Sequence, residues 1–408
     1  MLSLSVWASS ANGQAQEPPD ADTLRQEVMV TVASMAKRSQ VMVDTVFSFG
    51  ELGFQEFETA KYITGILEEE GFEIVMGCAG MPTCYVASWG TGHPVIGFMG
   101  DIDGLPETSQ KPGVAYRDPL IPGGPGHGEG HNSAPAVDVI AAIATKRVME
   151  KYGLQGTLKV IPGVAEELLG SRTYMVNANL FDGMDIMLST HISSGMGTAW
   201  GMSGSGMVST QFTFHGESAH GAADPWRGRS ALDAVELMNS GWNFRREHLR
   251  LQQRSHYIIS NGGSQPNVVP SEASVWYYFR ELDYERIKDL HGKGQRIAEG
   301  AAMMTDTEVE ERIYGARVIA MTAIDLVAAP EKVEEAWTFH REVVTKDTQW
   351  QSLIPVDAPP PIHLNADKME RYRPLLKPLY YDAERYDTYM EQLGINYPAL
   401  ETPESADD

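Results

Sequence analysis

In the stretch TAKYITGILEEEGF apolar positions recur at helical spacing: Ala60, Ile63, Ile66 and Leu67 share one stripe, and Gly71 is placed to end the helix. Residues 23–71 as a whole read as helices. The period then shortens. CYVASWG and PVIGFMGDID predict strands, and the second is apolar almost throughout, as a central strand is. SAPAVDVIAAIATKRVMEKYG returns to a helix, with Asn132 or Ser133 at its N-cap and Gly153 at its C-cap. TLKVIPGVAEE predicts a buried strand running into two acids, and MDIMLSTH one running into a histidine. Strands alternating with helices predict an α/β domain with a mostly parallel sheet, whose chemistry gathers at the carboxyl ends of its strands.

Near Ser203 the pattern changes. MVSTQFTFHGES alternates like a half-exposed strand and is followed by a helix, the strands HYIISNGG and EASVWYYFRELD, a second helix, and the strand TEVEERIYGAR. This order predicts an inserted α+β unit of ferredoxin-like type. Four segments result: an N-terminus over 1–22, a first part of the main domain over 23–203, the insertion over 204–320, and a second part over 321–408. The last part is helical, with a proline-rich joint, VDAPPPIH, and an acidic end.

Composition narrows the function classes. The 408 residues are 42% apolar and 21% charged, with a net charge of −23. Nucleic acid and anionic membrane surfaces need a basic face, so neither is an expected partner. No run of about twenty apolar residues occurs. MLSLSVWASSANGQAQ has a short apolar core followed by small residues but no basic start. It reads either as an export-signal remnant, which would place the protein in the periplasm or outside the cell, or as a disordered terminus of a cytoplasmic one. Cys78 and Cys84 are too few for a disulfide framework and read as buried or free thiols, a mutual pair being open to an exported chain.

Four acid- or histidine-bearing spots fall where strands are predicted to end: Asp101 and Asp103; His127, Glu129 and His131 in GGPGHGEGHNSAPA; Glu166 and Glu167; and His191. Each alone is weak, but all four fall at the carboxyl edge of one sheet. The glycine loop matches neither phosphate-binding pattern, no lysine follows it, and its glutamate would repel phosphate. GMSGSG fails the G-x-S-x-G serine-hydrolase turn. Metal ligation remains. Imidazoles and carboxylates suit Zn or Mn, and of two adjacent glutamates one can bind the ion while the other moves a proton.

The segments ELGFQEFETA, GDIDGLP, GHGEGHN, AEE, the strand ending at His191, GESAHGAADPWRGRSALDAVELM and PNVVPSEASVWYYFR, in that order, resemble the M20 metallopeptidases, most closely their amidohydrolase branch. The resemblance implies a catalytic domain binding one or two divalent ions and an inserted lid that also dimerises, as a homodimer or heterodimer. It implies His131, Glu167 and His191 as ligands, Glu166 as general base, and Asp103 orienting a ligand histidine. His220 would stabilise the oxyanion, in the dimer partner's site. Asn267 and Arg280 would hold the substrate, an N-acyl amino acid or small dipeptide.

Where the branch usually has a cysteine in this loop, the chain has Glu129, a carboxylate that can still ligate and that favours harder ions such as Mn. The family's further ligand histidine near the C-terminus has no counterpart; neither His340 nor His363 lies in a matching segment. Two readings follow: a metal-dependent amide hydrolase, or a truncated or non-catalytic partner that binds small acyl-amino acids.

Overall fold

The computed structural model describes residues 19–114, 116–193, 206–282, 284–317, 330–344, 346 and 352–395. The expectations for residues 1–18, for GMSGSG before residue 206 and for the acidic end after 395 lie outside these. No described helix is long and apolar enough to cross a membrane.

Three helices lead: α1 (Ala21–Ser34), α2 (Ala36–Phe49) and α3 (Phe57–Glu69). Asp20 caps α1 by accepting from the Thr23 amide at 2.8 Å. The first sheet contains β1 (Glu73–Met76), β2 (Tyr85–Thr91), β3 (Val95–Gly100), β4 (Gly156–Val160) and β5 (Ile186–Thr190), in the order β1-β2-β4-β3-β5. β3 pairs in parallel with β4 and β5, whereas β1–β2 and β2–β4 are antiparallel, so the sheet is mixed rather than mostly parallel. Apolar runs carry no direction; the short connection from β1 to β2 reverses the chain, and only connections as long as a helix return it parallel. That reversal is closed by a disulfide between Cys78 and Cys84, which corrects the reading of these residues as free thiols.

Helix α4 (Ala134–Tyr152) ends, as its glycine predicts, with Gly153 in the left-handed conformation. Its Ala136, Val139, Ile140, Ala142 and Ile143 meet Ile96, Phe98 and Leu158 of the sheet in one core. This packing places the start of α4, and with it His131, above the ends of β3 and β5.

The insertion follows the predicted strand-helix order. β6 (Gly206–His215), β7 (Arg254–Asn261), β8 (Glu272–Glu281) and β9 (Glu308–Arg317) form an antiparallel sheet in the order β7-β8-β6-β9. Helices α6 (Ala231–Arg245) and α7 (Tyr284–Thr305) cover one face. There Trp242, Met238 and Leu290 bury Phe212, Val275, Tyr277 and Phe279. The alternation of β8 leaves Trp276, Tyr278 and Arg280 on the other face.

The C-terminal part adds no strand among the described residues. Its helix Ala366–Leu376 packs Met369 and Leu376 against Leu52 and Ile121. Arg373 pairs with the buried Glu51 and donates to the Gln55 carbonyl at 2.9 Å.

Candidate metal centre

The strand ends converge. β3 runs into Asp101 and Asp103, each 1% exposed, and the loop before α4 brings in His131, 2% exposed. A further helix, α5 (Arg172–Asn177), begins just past the paired glutamates. The strand from Gly156 stops at Val160, earlier than its apolar run predicts, and Glu166 and Glu167 lie in a tight turn beyond it. Ala165 and Leu169 flank that turn at φ 48° and 52°, and the Ala165 amide donates to the buried Glu56 carboxylate at 2.8 Å.

His131 Nδ1 faces the Asp103 carbonyl oxygen at 3.0 Å, and His191 Nδ1 faces the Ile192 carbonyl at 2.8 Å. A carbonyl only accepts, so both rings carry hydrogen on Nδ1 and turn Nε2 inward. The two Nε2 atoms are 3.3 Å apart. Two bare lone pairs at that distance repel unless a proton or a cation lies between them. The spacing equals one edge of a tetrahedron around an ion bound at about 2.0–2.1 Å to each nitrogen. Glu129 Oε2 lies 3.9 Å from His191 Nε2, and the donor atoms of Glu129, His131 and His191 all fall within 4.8 Å of one another. Asp101, His131 and Glu166 form a second such group. The donor set, imidazole nitrogen with carboxylate oxygen, suits a divalent ion of borderline or hard character.

The electrostatics agree. Burial and the neighbouring charges of Asp103 and Glu129 push the Glu167 carboxyl up to about 8. Burial likewise raises Asp103. Burial alone would depress His131, but its bond to Asp103 and the charges of Asp103, Asp101 and Glu167 outweigh that and raise it to about 9. More negative charge is gathered here than low polarity tolerates, so the cluster retains protons or a cation.

The expected residues thus divide. Glu129, His131, His191, Asp103, Glu166 and Glu167 share one place. Glu167 belongs to neither donor group; its amide donates to Asp103 Oδ2 at 3.1 Å. His220 and Asn267 meet each other in the insertion, where the Gly221 amide donates to the Asn267 carbonyl at 2.8 Å and His220 bridges to Val268. His220 Nδ1 accepts from the Ala222 and Ala223 amides at 3.2 Å, so a neutral ring carries its hydrogen on Nε2. Asn267 accepts from Gln265 at 2.6 Å, and Arg280 Nε lies 3.0 Å from Met207 Sδ. Among the described residues no hydrogen bond or ion pair joins these three to the cluster.

Sequence reasoning missed three contributors. Arg172 binds Asp101 and faces Glu166. Tyr278 reaches across from β8, donating its hydroxyl to the Glu167 carbonyl at 3.0 Å. Glu56, fully buried and raised to about 8 by that burial and by Asp103, braces Ala165. The one available signal was Arg172, a cation shortly after paired acids. His127 turns away, facing the Val46 carbonyl at 3.1 Å, and its burial depresses it to about 3.

Residues 203–303 match the peptidase dimerisation domain of the M20 family. The chain is 38% identical over 272 residues to one of the p-aminobenzoyl-glutamate hydrolase subunits of Escherichia coli, covering 66% of this chain and 56% of that protein. It is 26% identical over 301 residues to Xaa-Arg dipeptidase of Mus musculus, covering 71% and 65%. The aminobenzoyl-glutamate utilization protein of Klebsiella pneumoniae superposes with a TM-score of 0.52 at 21% identity, over 75% of this chain and 80% of that one. Over the matched lengths the chain is similar to M20 aminohydrolases. It spans only 56% and 65% of the two curated relatives named.

Proposed function

We propose that the protein is a metal-dependent amidohydrolase that cleaves the amide bond of an N-acyl or aminobenzoyl amino acid or a small dipeptide. The observation that carries this reading is the pair of inward Nε2 atoms 3.3 Å apart, with Glu129 beside them and Glu166 at the edge of the same cluster. The names of the relatives, a p-aminobenzoyl-glutamate hydrolase and a dipeptidase, supply the substrate class.

Glu129, His131 and His191, with Glu167 alongside, would hold one or two Zn or Mn ions, and Asp103 would fix the ring of His131. Bound there, such an ion polarises the substrate carbonyl and acidifies water. Glu166 takes the proton from the attacking water and delivers it to the leaving amine. His220 donates its Nε2 hydrogen to the developing oxyanion. Asn267 and Arg280 hold the substrate's main chain and carboxylate. Among the described residues His220 and Asn267 make no bond to their own cluster, which supports a role in the site of a second copy or of a related chain joined through the dimerisation domain.

The test is Glu166→Gln, assayed with p-aminobenzoyl-glutamate and a panel of N-acyl amino acids. Turnover should fall by about 10²–10⁴ with metal content unchanged. Full activity in the variant would reject Glu166 as the base. A wild-type chain that holds well under one ion and hydrolyses nothing in the panel would favour the non-catalytic partner instead.

A further inference from the structure

We propose that Arg172 is a positioning residue for Glu166: anchored on Asp101, its guanidinium holds the Glu166 carboxylate at the rim of the donor cluster. The proposal rests on the reading of Glu166 as the base.

Arg172 Nη2 lies 2.5 Å from Asp101 Oδ1, and Nη1 lies 3.6 Å from Glu166 Oε1. Its Nε sits 3.5 Å from Met99 Sδ. One planar group therefore spans two carboxylates and is braced along its stem. A lysine, with a single point charge, cannot serve both in the same way. The anchor is itself fixed. A Cβ on Gly163 would fall 1.8 Å from Asp101 Oδ1, so only glycine lets that carboxylate keep its place beside β4's end. Arg172 opens α5, so its backbone is set by a separate element from the turn that carries Glu166. The turn fixes the backbone of Glu166, and Arg172 helps to fix where its carboxylate stands.

Arg172→Met should lower kcat about 10- to 100-fold, the scale of a misplaced catalytic group, while KM changes by less than about threefold. Metal content should not change, and Arg172→Lys should recover part of kcat. Independently of turnover, labelling of Glu166 by a water-soluble carbodiimide, read by peptide mass spectrometry, should rise several-fold in Arg172→Met. Unchanged kcat with unchanged labelling would overturn the proposal, as would loss of metal in step with kcat, since Arg172 would then act on the ligands. If Arg172→Met does not fold, Arg172→Gln, which removes the charge but keeps a polar side chain, should give the same pattern. The two readings separate: an active Glu166→Gln rejects the base, whereas an inactive Glu166→Gln beside a fully active Arg172→Met rejects only the role of Arg172.

Discussion

His131 and His220 sit in regions constrained in different ways. Around His131, the Asp103 carbonyl, the Asp103 carboxylate and the packing of α4 on the sheet act together on a side chain that is 2% exposed. Around His220, the ring is exposed and is held by two amides of its own turn, while the turn is pinned by main-chain pairing to the segment of Asn267. In the first region the groups that hold His131 all belong to its own chain. The second fixes a donor that points at nothing in its own chain's cluster among the described residues. A single-site change should therefore disturb binding in the first region and turnover in the second.

The sharpest test is His131→Ala. Removing one of two facing imidazoles and exposing a cluster of carboxylates should weaken Zn binding at least about 100-fold by calorimetry. The insertion, which has its own core, should melt as before. An affinity within threefold of wild type would remove the strand-end cluster from consideration as the metal centre.

His220→Ala should leave metal content and melting temperature unchanged and lower kcat by about 10²–10³, as loss of one oxyanion donor does. Mixing it with Glu166→Gln discriminates further. If His220 serves the partner's site, a mixed dimer has one site with both groups intact and regains activity; if it serves its own, mixing restores nothing.

Asp103→Asn is milder. The ring of His131 loses a charged neighbour but keeps the Asp103 carbonyl, so metal affinity should drop about 10- to 100-fold by the same calorimetry. A drop as large as that of His131→Ala would mean Asp103 is itself a ligand.

The two regions also differed in how far the sequence revealed them. The order of elements in both sheets was legible because apolar period and glycine stops report local structure: Gly153 ends α4 as read, and the insertion's strand-helix order holds. Strand direction was not legible, since Val95–Gly100 reads the same either way, and connection length decided it. The acids and histidines of the cluster were legible because Asp101, Asp103, Glu166, Glu167 and His191 follow apolar runs and His131 closes a glycine loop that leads into a helix. Arg172, Tyr278 and Glu56 were not. Their roles depend on which distant backbone they meet, and a residue's type says nothing of that. The turn of His127 toward Val46 was hidden for the same reason.

A last test concerns the insertion as a folding unit that does not depend on the metal centre. Glu311 on β9 accepts from His291 Nε2 at 2.5 Å and from Gln295 at 2.6 Å, joining the outer strand to α7. Burial would raise its carboxyl, but those two bonds outweigh burial and hold it below the ordinary glutamate range. A carboxyl depressed in the folded state stabilises above its unfolded value, and that contribution disappears as the pH falls through the folded one. Glu311→Gln should therefore cost about 1–3 kcal/mol at neutral pH, the scale of hydrogen bonds to a charged group, and much less near pH 3. Urea unfolding of the insertion at both pH values, followed by the fluorescence of buried Trp242, measures the difference. If wild type and variant lose stability in parallel as the pH falls, the link from β9 to α7 holds by packing alone, and the insertion, unlike the strand ends, would be fixed without help from its charges.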